Sequence, residues 1–218
     1  MAHILITSGP TRQYIDPVRY LTNASSGRMG RALAEAALAA GHRVTVVSGP
    51  VDVEYPAGAE VHRVTSTEEM LETCLKIFPV CDGLIGAAAP CDYRPLRVAT
   101  DKINKTGEPL SLRLVETPDV VATLGATKSD QWLVGFALET EDRRFKALVK
   151  LEKKSCDLIV SNGPEAMHSL ENHVEIINRE GQTVATFEGP KETVARGIID
   201  VIQRHLIAPS RAGTAGDG

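Results

Sequence analysis

The chain has 218 residues, 43% of them hydrophobic and 24% charged, with a formal net charge of −4. These values fit one large domain, and the weak, mixed charge argues against broad binding to nucleic acid or to a membrane surface. The cysteines show no CxxC pairing, which predicts reduced thiols rather than disulfides or a zinc site. No signal-peptide pattern and no apolar run of roughly 20 residues is visible. We therefore expect a cytoplasmic protein.

The first half of the chain alternates apolar strands with amphipathic helices. Strands are predicted at 3–7, 43–47, 60–64 and 83–87, and helices at 28–40 and 66–78. In the first helix the apolar residues recur at helical spacing, and Gly41 suits its C-terminal end. Ser66 and Glu69 form a capping-box pattern at the start of the second helix.

The second half continues the alternation after an irregular stretch at 88–109. Strands are predicted at 110–115, 132–136 and 158–160, and a hairpin at 174–177 and 183–187. Helices are predicted from Thr117, as N-cap, to Leu124, and at 142–154 and 191–206. This order indicates a Rossmann-like α/β fold, a doubly wound and mostly parallel sheet flanked by helices. We expect one domain over 1–208, a small dimerisation arm or flap at 93–116, and a disordered tail at 209–218.

The stretch 4–30 predicts a phosphate-binding site. It runs from an apolar strand through Ser8-Gly9-Pro10 and a long loop to Ser25-Ser26-Gly27, where a helix begins. Small residues let backbone N–H groups approach phosphate oxygens, and a helix N-terminus adds partial positive charge. Further polar clusters follow other predicted strands at 48–49, 88–92, 139–140 and 161–162. The topology predicts that they gather along the carboxyl edge of the sheet.

A dinucleotide-binding reductase is the first alternative to weigh. Its GxGxxG turn would join the first strand directly to the first helix, and an acid would end the second strand. Here a long loop intervenes, and the second strand ends in Ser48-Gly49-Pro50. A non-catalytic nucleotide-binding module is the other alternative, and it stays open at this stage.

The long loop and the later motifs resemble the phosphopantothenoylcysteine synthetase family, the phosphopantothenate–cysteine ligases of coenzyme A biosynthesis. Residues 7–30 follow that family's signature, TSGxTxxxIDPVRxxxNxSSGxMG. The resemblance continues in the same order through five later motifs, at 87–95, 102–105, 117–121, 134–140 and 157–162.

The resemblance implies a ligase reaction in two steps. The carboxylate of 4′-phosphopantothenate attacks the α-phosphate of CTP, or of ATP in eukaryotic members, giving an acyl-nucleotide and pyrophosphate. The amine of cysteine then displaces the nucleotide monophosphate. The triphosphate implies Mg²⁺, held partly by phosphate oxygens and water rather than by a protein metal cluster. The sequence leaves the choice between CTP and ATP open, because backbone groups would select the base.

The resemblance also assigns roles to individual residues. Asn23 would position the carboxylate and the acyl-nucleotide, and Lys102 would close over the site and neutralise developing charge. Arg19 either contacts the substrate or pairs with Asp16 inside the loop. The remaining candidates would bind the nucleotide, and they are Ser8, Gly9, Thr11, Ser25, Ser26, Gly27, Ala88, Asp92, Pro118, Asp119, Val120, Val121, Phe136, Lys150 and Lys154.

Two departures from the family pattern stand near these residues. Asn104 replaces a lysine of the KxKK motif, and Pro90-Cys91 replaces the more typical Val-Ala. We expect Cys91 to be a small buried residue rather than a nucleophile. Family members are dimers, so a homodimer is expected. The chain is also expected to be monofunctional and free of flavin, with a functional link to a separate phosphopantothenoylcysteine decarboxylase.

Overall fold

The computed structural model describes residues 1–138, 143–162 and 171–208. Among these residues, eight strands form one sheet, and two short ribbons lie outside it. The sheet contains β1 (His3–Ser8), β4 (Arg43–Ser48), β5 (Glu60–Arg63), β6 (Gly83–Gly86), β9 (Trp132–Leu138), β10 (Leu158–Asn162), β11 (Glu171–Asn178) and β12 (Thr183–Pro190). The ribbons are β2 (Arg12–Tyr14) with β3 (Tyr20–Thr22), and β7 (Tyr93–Pro95) with β8 (Leu114–Glu116).

The sheet is mostly parallel. Its strand order is β12-β11-β10-β9-β6-β1-β4-β5, and only β11 and β12 run antiparallel to their neighbours. Both faces are covered by helices, which are α1 (Arg28–Ala39), α2 (Thr67–Ile77), α3 (Val120–Thr127), α4 (Arg143–Lys153) and α5 (Lys191–Ile202). Helices α1 and α5 pack on one face, and α2, α3 and α4 on the other. The predicted doubly wound α/β fold is confirmed.

Local chemistry explains where the first helices begin. Gly27 precedes α1 with φ 73°, a left-handed conformation that side chains rarely adopt. One turn later, a Cβ on Gly30 would collide with Ser8, so α1 approaches the end of β1 closely only because of this glycine. The predicted capping box of α2 is confirmed. Ser66 Oγ accepts a hydrogen bond from Glu69 N, and the Glu69 carboxylate accepts one from the Ser66 N–H.

Two predicted boundaries are wrong around residues 110–120. The strand predicted at 110–115 is restricted to β8, which pairs with β7 away from the main sheet. The apolar alternation that suggested a half-buried strand leaves Leu110 57% and Leu112 38% exposed. The N-cap of α3 is Asp119 instead of Thr117, because Thr117 Oγ1 donates to Cys91 O at 2.7 Å and Asp119 accepts from Ala122 N.

The long loop between β1 and α1 contains regular secondary structure that the sequence did not predict. The β2–β3 ribbon within it was not predicted, and Arg12 stacks over the Tyr20 ring, 4.5 Å from its centroid. No helix in the described ranges is long and apolar enough to cross a membrane. The expected tail at 209–218 and the polar residues at 139–140 lie outside the described residues.

Candidate functional site

Two adjoining pockets open at the carboxyl edge of the sheet. The first, of about 470 Å³, lies between the loop before α1, the loop after β6 and the ends of β9 and β10. The second, of about 420 Å³, extends from the same β6 loop to the start of α3. Ala88, Pro90, Asp92 and Phe136 line both pockets. Their position agrees with the rule that open α/β sheets bind ligands beyond the strand ends.

The first pocket gathers predicted residues from distant parts of the chain. Those residues are Asn23, Ser25, Ser26, Gly27, Ala88, Asp92, Phe136 and Lys150. The Gly27 backbone is held close to Val51, because a Cβ at Gly27 would lie 2.9 Å from Val51 Cγ1. A side chain at position 27 would therefore collide with Val51, and a glycine here lets the backbone before α1 form part of the pocket wall.

Asn23 joins the two loops that wall this pocket. Its Nδ2 donates a hydrogen bond to the Pro90 carbonyl oxygen at 2.8 Å, and Pro90 belongs to the loop after β6. A primary amide has two N–H donors and an oxygen acceptor, so this bond uses only part of its capacity. The same side chain can fix the pocket wall and contact a ligand.

Cationic side chains predominate on the walls of the first pocket. Arg28, Lys150 and Lys191 line it together with a single described carboxylate, Asp92. Lys191 is partly buried, and this burial, followed by the nearby charge of Arg28, lowers the Lys191 pKa from its usual value. This charge balance suits an anionic ligand.

Sequence reasoning missed Arg28 and Lys191 as pocket residues. Lys191 is the first residue of α5, where the helix dipole favours acidic side chains. A lysine in that position is therefore unfavourable for the helix itself, and the sequence could have indicated from this that Lys191 serves a binding role. Asn162, from the predicted polar cluster at 161–162, also lines the pocket, and its buried Oδ1 has no hydrogen-bond partner among the described residues.

The second pocket brings together the predicted residues at the start of α3. Pro118, Asp119, Val120 and Val121 line it with Lys154. Lys154 Nζ lies 3.0 Å from Asp119 Oδ2. Burial opposes ionisation of Asp119, but the Ala122 N–H bond and the Lys154 charge outweigh it and lower the pKa of Asp119. Lys153 is exposed and also lines this pocket.

The side chains of Ser8 and Thr11 lie behind the pockets rather than in them. Ser8 is fully buried, accepts from Tyr55 Oη at 2.8 Å and donates to the Gly27 carbonyl at 3.3 Å. Thr11 is also fully buried, and its Oγ1 lies 2.7 Å from Thr67 Oγ1 and accepts from Cys91 N at 2.8 Å. Both hydroxyls therefore hold the loops together, and the predicted role of Ser8 and Thr11 in nucleotide binding stays a prediction.

Gly9 and Cys91 also make contacts within the protein and do not line either pocket. Gly9 has φ 73°, and its carbonyl accepts from Ala89 N at 2.9 Å, outside the residues that line the two pockets. Cys91 is buried, and its Sγ lies 3.2 Å from the Tyr93 carbonyl. The prediction of a small buried Cys91 is confirmed.

Arg19 and Lys102 also lie outside both pockets. Arg19 Nη1 pairs with the fully buried Asp16 at 3.1 Å, which is the structural alternative that the sequence left open. Lys102 is exposed, next to Ile103. The single chain thus places Asn23 and all the nucleotide candidates except Ser8, Gly9 and Thr11 around the pockets, and these two cations lie elsewhere.

A dedicated metal centre is not visible in the described ranges, where no three His, Cys, Asp or Glu side chains cluster. Asp92 is an exposed carboxylate at the boundary of the two pockets. Mg²⁺ at a triphosphate takes most ligands from phosphates and water and one or two from carboxylates. The donor set therefore fits a nucleotide-borne Mg²⁺ for which Asp92 would supply an oxygen.

The fold and pockets define a doubly wound α/β protein with a cleft, lined by more cations than carboxylates, at the carboxyl edge of its sheet. The model of one family, the DNA/pantothenate metabolism flavoprotein C-terminal domain, matches residues 1–206. The chain belongs to this family.

Curated relatives carry the same name in several bacteria. The chain is 46% identical over 165 residues to the coenzyme A biosynthesis bifunctional protein CoaBC of Bacillus subtilis, covering 75% of this chain and 41% of that protein. It is 40% identical over 204 residues to the Vibrio parahaemolyticus protein of that name, covering 90% and 51%. The chain thus spans about half the length of the curated relatives it matches, or less.

Solved structures agree with the fold. The crystal structure of the C-terminal domain of a CoaBC protein superposes with a TM-score of 0.80 and 37% identity, covering 95% of this chain and 96% of that one. A Cab2 mutant solved in complex with phosphopantothenate-cysteine has a TM-score of 0.79 at 18% identity, covering 96% and 89%. At that identity the second likeness shows the shared fold alone.

Proposed function

We propose that this protein is a phosphopantothenate–cysteine ligase, which joins (R)-4′-phosphopantothenate to L-cysteine in coenzyme A biosynthesis. The observation that carries the proposal is the first pocket, where Asn23, Ser25 to Gly27, Asp92 and Phe136 meet in a chain whose family match extends over residues 1–206. An open apolar-and-cationic cleft is suited to a nucleotide and an organic phosphate ester.

In the proposed reaction the backbone before α1 binds phosphate. The Ser25 hydroxyl, the N–H groups at Ser26 and Gly27 and the cations Arg28 and Lys150 would offset the negative charge of the triphosphate. Phe136 offers an apolar surface between the two pockets, suited to the base or to the pantothenoyl chain. Pro118 to Val121 would contact the nucleotide from the second pocket.

Asn23 is proposed to orient the attacking carboxylate. A neutral amide can donate to the carboxylate without adding charge that would have to be offset. The carboxylate attacks the α-phosphate, pyrophosphate leaves, and an acyl-nucleotide forms. The cysteine amine then attacks the acyl carbon, the nucleotide monophosphate leaves, and an amide results. The role of Asn23 is to position the carboxylate, since neither step requires Asn23 to accept or release a proton.

Lys102 is proposed to neutralise charge as the acyl-nucleotide forms or breaks. Its exposed position on the segment 93–116 is compatible with service to a partner's site in a homodimer, which we also propose. Arg19, on the adjoining loop, would accompany it. The exposed apolar residues of that segment, including Leu96, Leu110 and Leu114, are compatible with a subunit contact.

The finer assignments complete the proposal. CTP is the proposed co-substrate, with ATP as the alternative, and Mg²⁺ would accompany it with Asp92 as one oxygen ligand. The reaction has no redox step, so no flavin is proposed for it. The product would pass to a phosphopantothenoylcysteine decarboxylase, and we propose a cytoplasmic location.

Initial rates with each of the four nucleoside triphosphates test the proposal. Phosphopantothenate, cysteine and Mg²⁺ are supplied, and the amide product and pyrophosphate are quantified together. We expect cysteine-dependent product in equimolar amount to pyrophosphate, fastest with CTP. Product with ATP alone would change the co-substrate but keep the ligase. No product with any nucleotide would refute the ligase assignment.

A further inference from the structure

Asp16 is a buried carboxylate in the turn between β2 and β3. Its side chain has no exposed surface. Its Oδ1 accepts hydrogen bonds from the N–H groups of Val18 and Arg19, both at 2.8 Å. An asparagine would close such a turn equally well, and burial of a charge is costly unless other partners compensate for it. The turn alone therefore does not explain an aspartate here.

The second carboxylate oxygen reaches a segment far away in sequence. Oδ2 accepts from the Ile103 N–H at 3.2 Å and lies 3.1 Å from Arg19 Nη1. Arg19 Nη2 in turn donates to the Ile103 carbonyl at 2.9 Å. Both backbone polar groups of Ile103 are thus held by one ion pair. We refer to Asp16, Arg19 and Ile103 as the Asp16 anchor.

The anchor acts on the peptide unit that joins Lys102 to Ile103. The Ile103 N–H belongs to that planar unit, so its hydrogen bond to Asp16 restrains the Lys102 main chain. Lys102 itself is exposed, as are the residues 104–114 that follow Ile103. A lysine on an exposed segment would otherwise sample many positions.

The ionised state of Asp16 is stabilised by the same contacts. Burial opposes its ionisation, but the N–H bonds from Val18, Arg19 and Ile103 outweigh it and hold the pKa below its ordinary value. The anchor is therefore charged at neutral pH. A charged acceptor forms stronger hydrogen bonds than a neutral one. An ionised Asp16 can therefore restrain an exposed segment more firmly than a neutral side chain could.

We propose that Asp16 is a positioning residue that, through Ile103, determines where Lys102 stands. The inference rests on the proposed function, in which Lys102 neutralises charge on the acyl-nucleotide. Asp16 touches no substrate in this role. It restrains the main chain at Lys102, so that the lysine side chain extends to its site, in the same subunit or in a partner, from a fixed position.

The variant Asp16→Asn should disrupt the contacts with Ile103 and Arg19 Nη1 while it preserves the turn at Val18 and Arg19. Its amide oxygen can still accept from Val18 and Arg19, but its NH₂ group would face the Ile103 N–H and the Arg19 guanidinium, both of which are donors. Asp101→Asn is the matched control, because it removes a carboxylate next to Lys102 that lies outside the anchor. Each variant is made in the wild-type and in the Lys102→Ala background, and kcat and the KM for the nucleotide are measured with nucleotide in excess over enzyme.

We expect Asp16→Asn to lower kcat by about 10- to 100-fold, with KM for the nucleotide changed by less than about threefold. In the Lys102→Ala background the same change should cost less than about twofold, since the residue it positions is gone. Asp101→Asn should stay within about twofold in both backgrounds. Wild-type turnover in Asp16→Asn, or an equal loss in both backgrounds, would overturn the proposal.

Amide hydrogen exchange gives a readout that needs no ligase activity. In Asp16→Asn the Ile103 amide should exchange faster, while the Ala99 amide, which donates to the Ile15 carbonyl at 3.0 Å, should keep its rate. Unchanged exchange at Ile103 would refute the anchor even if the wild type proved to be no ligase. If Asp16→Asn fails to fold, Arg19→Gln enters the same cycle, and additivity with Lys102→Ala would then count against the proposal.

Discussion

The side-chain amide of Asn23 donates a 2.8 Å hydrogen bond to the backbone carbonyl of Pro90. This bond connects the loop before α1 to the loop after β6, the two walls of the first pocket. A residue with a proposed role toward the substrate therefore also helps to shape the pocket. Substitutions at Asn23 must distinguish these two contributions.

Asn23→Asp should raise the KM for phosphopantothenate more than Asn23→Ala does. Both variants lose the bond to Pro90, which should cost about 1 kcal/mol of stability in each. Only the aspartate adds a negative charge that repels the substrate carboxylate. Steady-state kinetics and urea unfolding of the two variants test this. Equal KM values would show that Asn23 acts only on the pocket wall.

Lys102→Ala should fold normally and lose most of its turnover. The side chain is exposed, so the free energy of unfolding should change by no more than about 0.5 kcal/mol. Arg97→Ala is a suitable control, because Arg97 is an exposed cation of the same segment. A fully active Lys102→Ala would remove this lysine from the mechanism, whereas equal losses in the two variants would indicate a general charge effect.

Lys191→Met should weaken nucleotide binding, although no sequence motif pointed to Lys191. Its ammonium lines the first pocket with Arg28 and Lys150. A charge-assisted bond to phosphate contributes roughly 1.5–3 kcal/mol, so the nucleotide KM should rise by about 10- to 100-fold. Lys76→Met, on the exposed surface of α2, provides the control. A nucleotide KM equal to that of the control would exclude Lys191 from phosphate binding.

Asp119→Asn should lower stability at neutral pH but not in acid. Asparagine preserves the N-cap of α3 and removes only the charge that pairs with Lys154. The folded pKa of Asp119 lies below its ordinary value of 3.8. The pair therefore stabilises the fold above that value, and its contribution disappears as the pH falls through the lower, folded pKa.

Because Asp119 is 41% exposed, we expect a difference below about 1 kcal/mol at pH 7. Urea unfolding of wild type and Asp119→Asn from pH 7 down to the lowest pH at which both stay folded measures it. The difference should narrow with acidification. A constant or growing difference would show that the folded state does not stabilise the ionised form of Asp119 and so does not lower its pKa.

The sheet and its helices follow from local patterns that burial enforces. Residues such as Ile4 to Ile6, Val46 and Val47 are apolar in sequence because both faces of the central strands are covered. The capping box at Ser66 is likewise a local signal. These features were predictable because each depends on residues close in sequence.

The errors arose where distant contacts decide the outcome. Thr117 looked like an N-cap, but its hydroxyl is consumed by Cys91, and the cap moves to Asp119. No local pattern indicates, likewise, that tertiary hydrogen bonds to Tyr55 and Thr67 hold the buried hydroxyls of Ser8 and Thr11. The place of Lys191 in the pocket could not be predicted from its neighbours in sequence, because it depends on the packing of α5 against α1 and the sheet.

The most direct test of the account measures pyrophosphate release in the absence of cysteine. Enzyme is mixed with phosphopantothenate, CTP and Mg²⁺, and pyrophosphate is followed in a rapid-quench experiment before and after cysteine is added. The account predicts release of up to one equivalent per active site without cysteine, followed by CMP and the amide product when cysteine arrives. Pyrophosphate that forms only when cysteine is present, or no pyrophosphate at all, would contradict the acyl-nucleotide reaction proposed for this pocket.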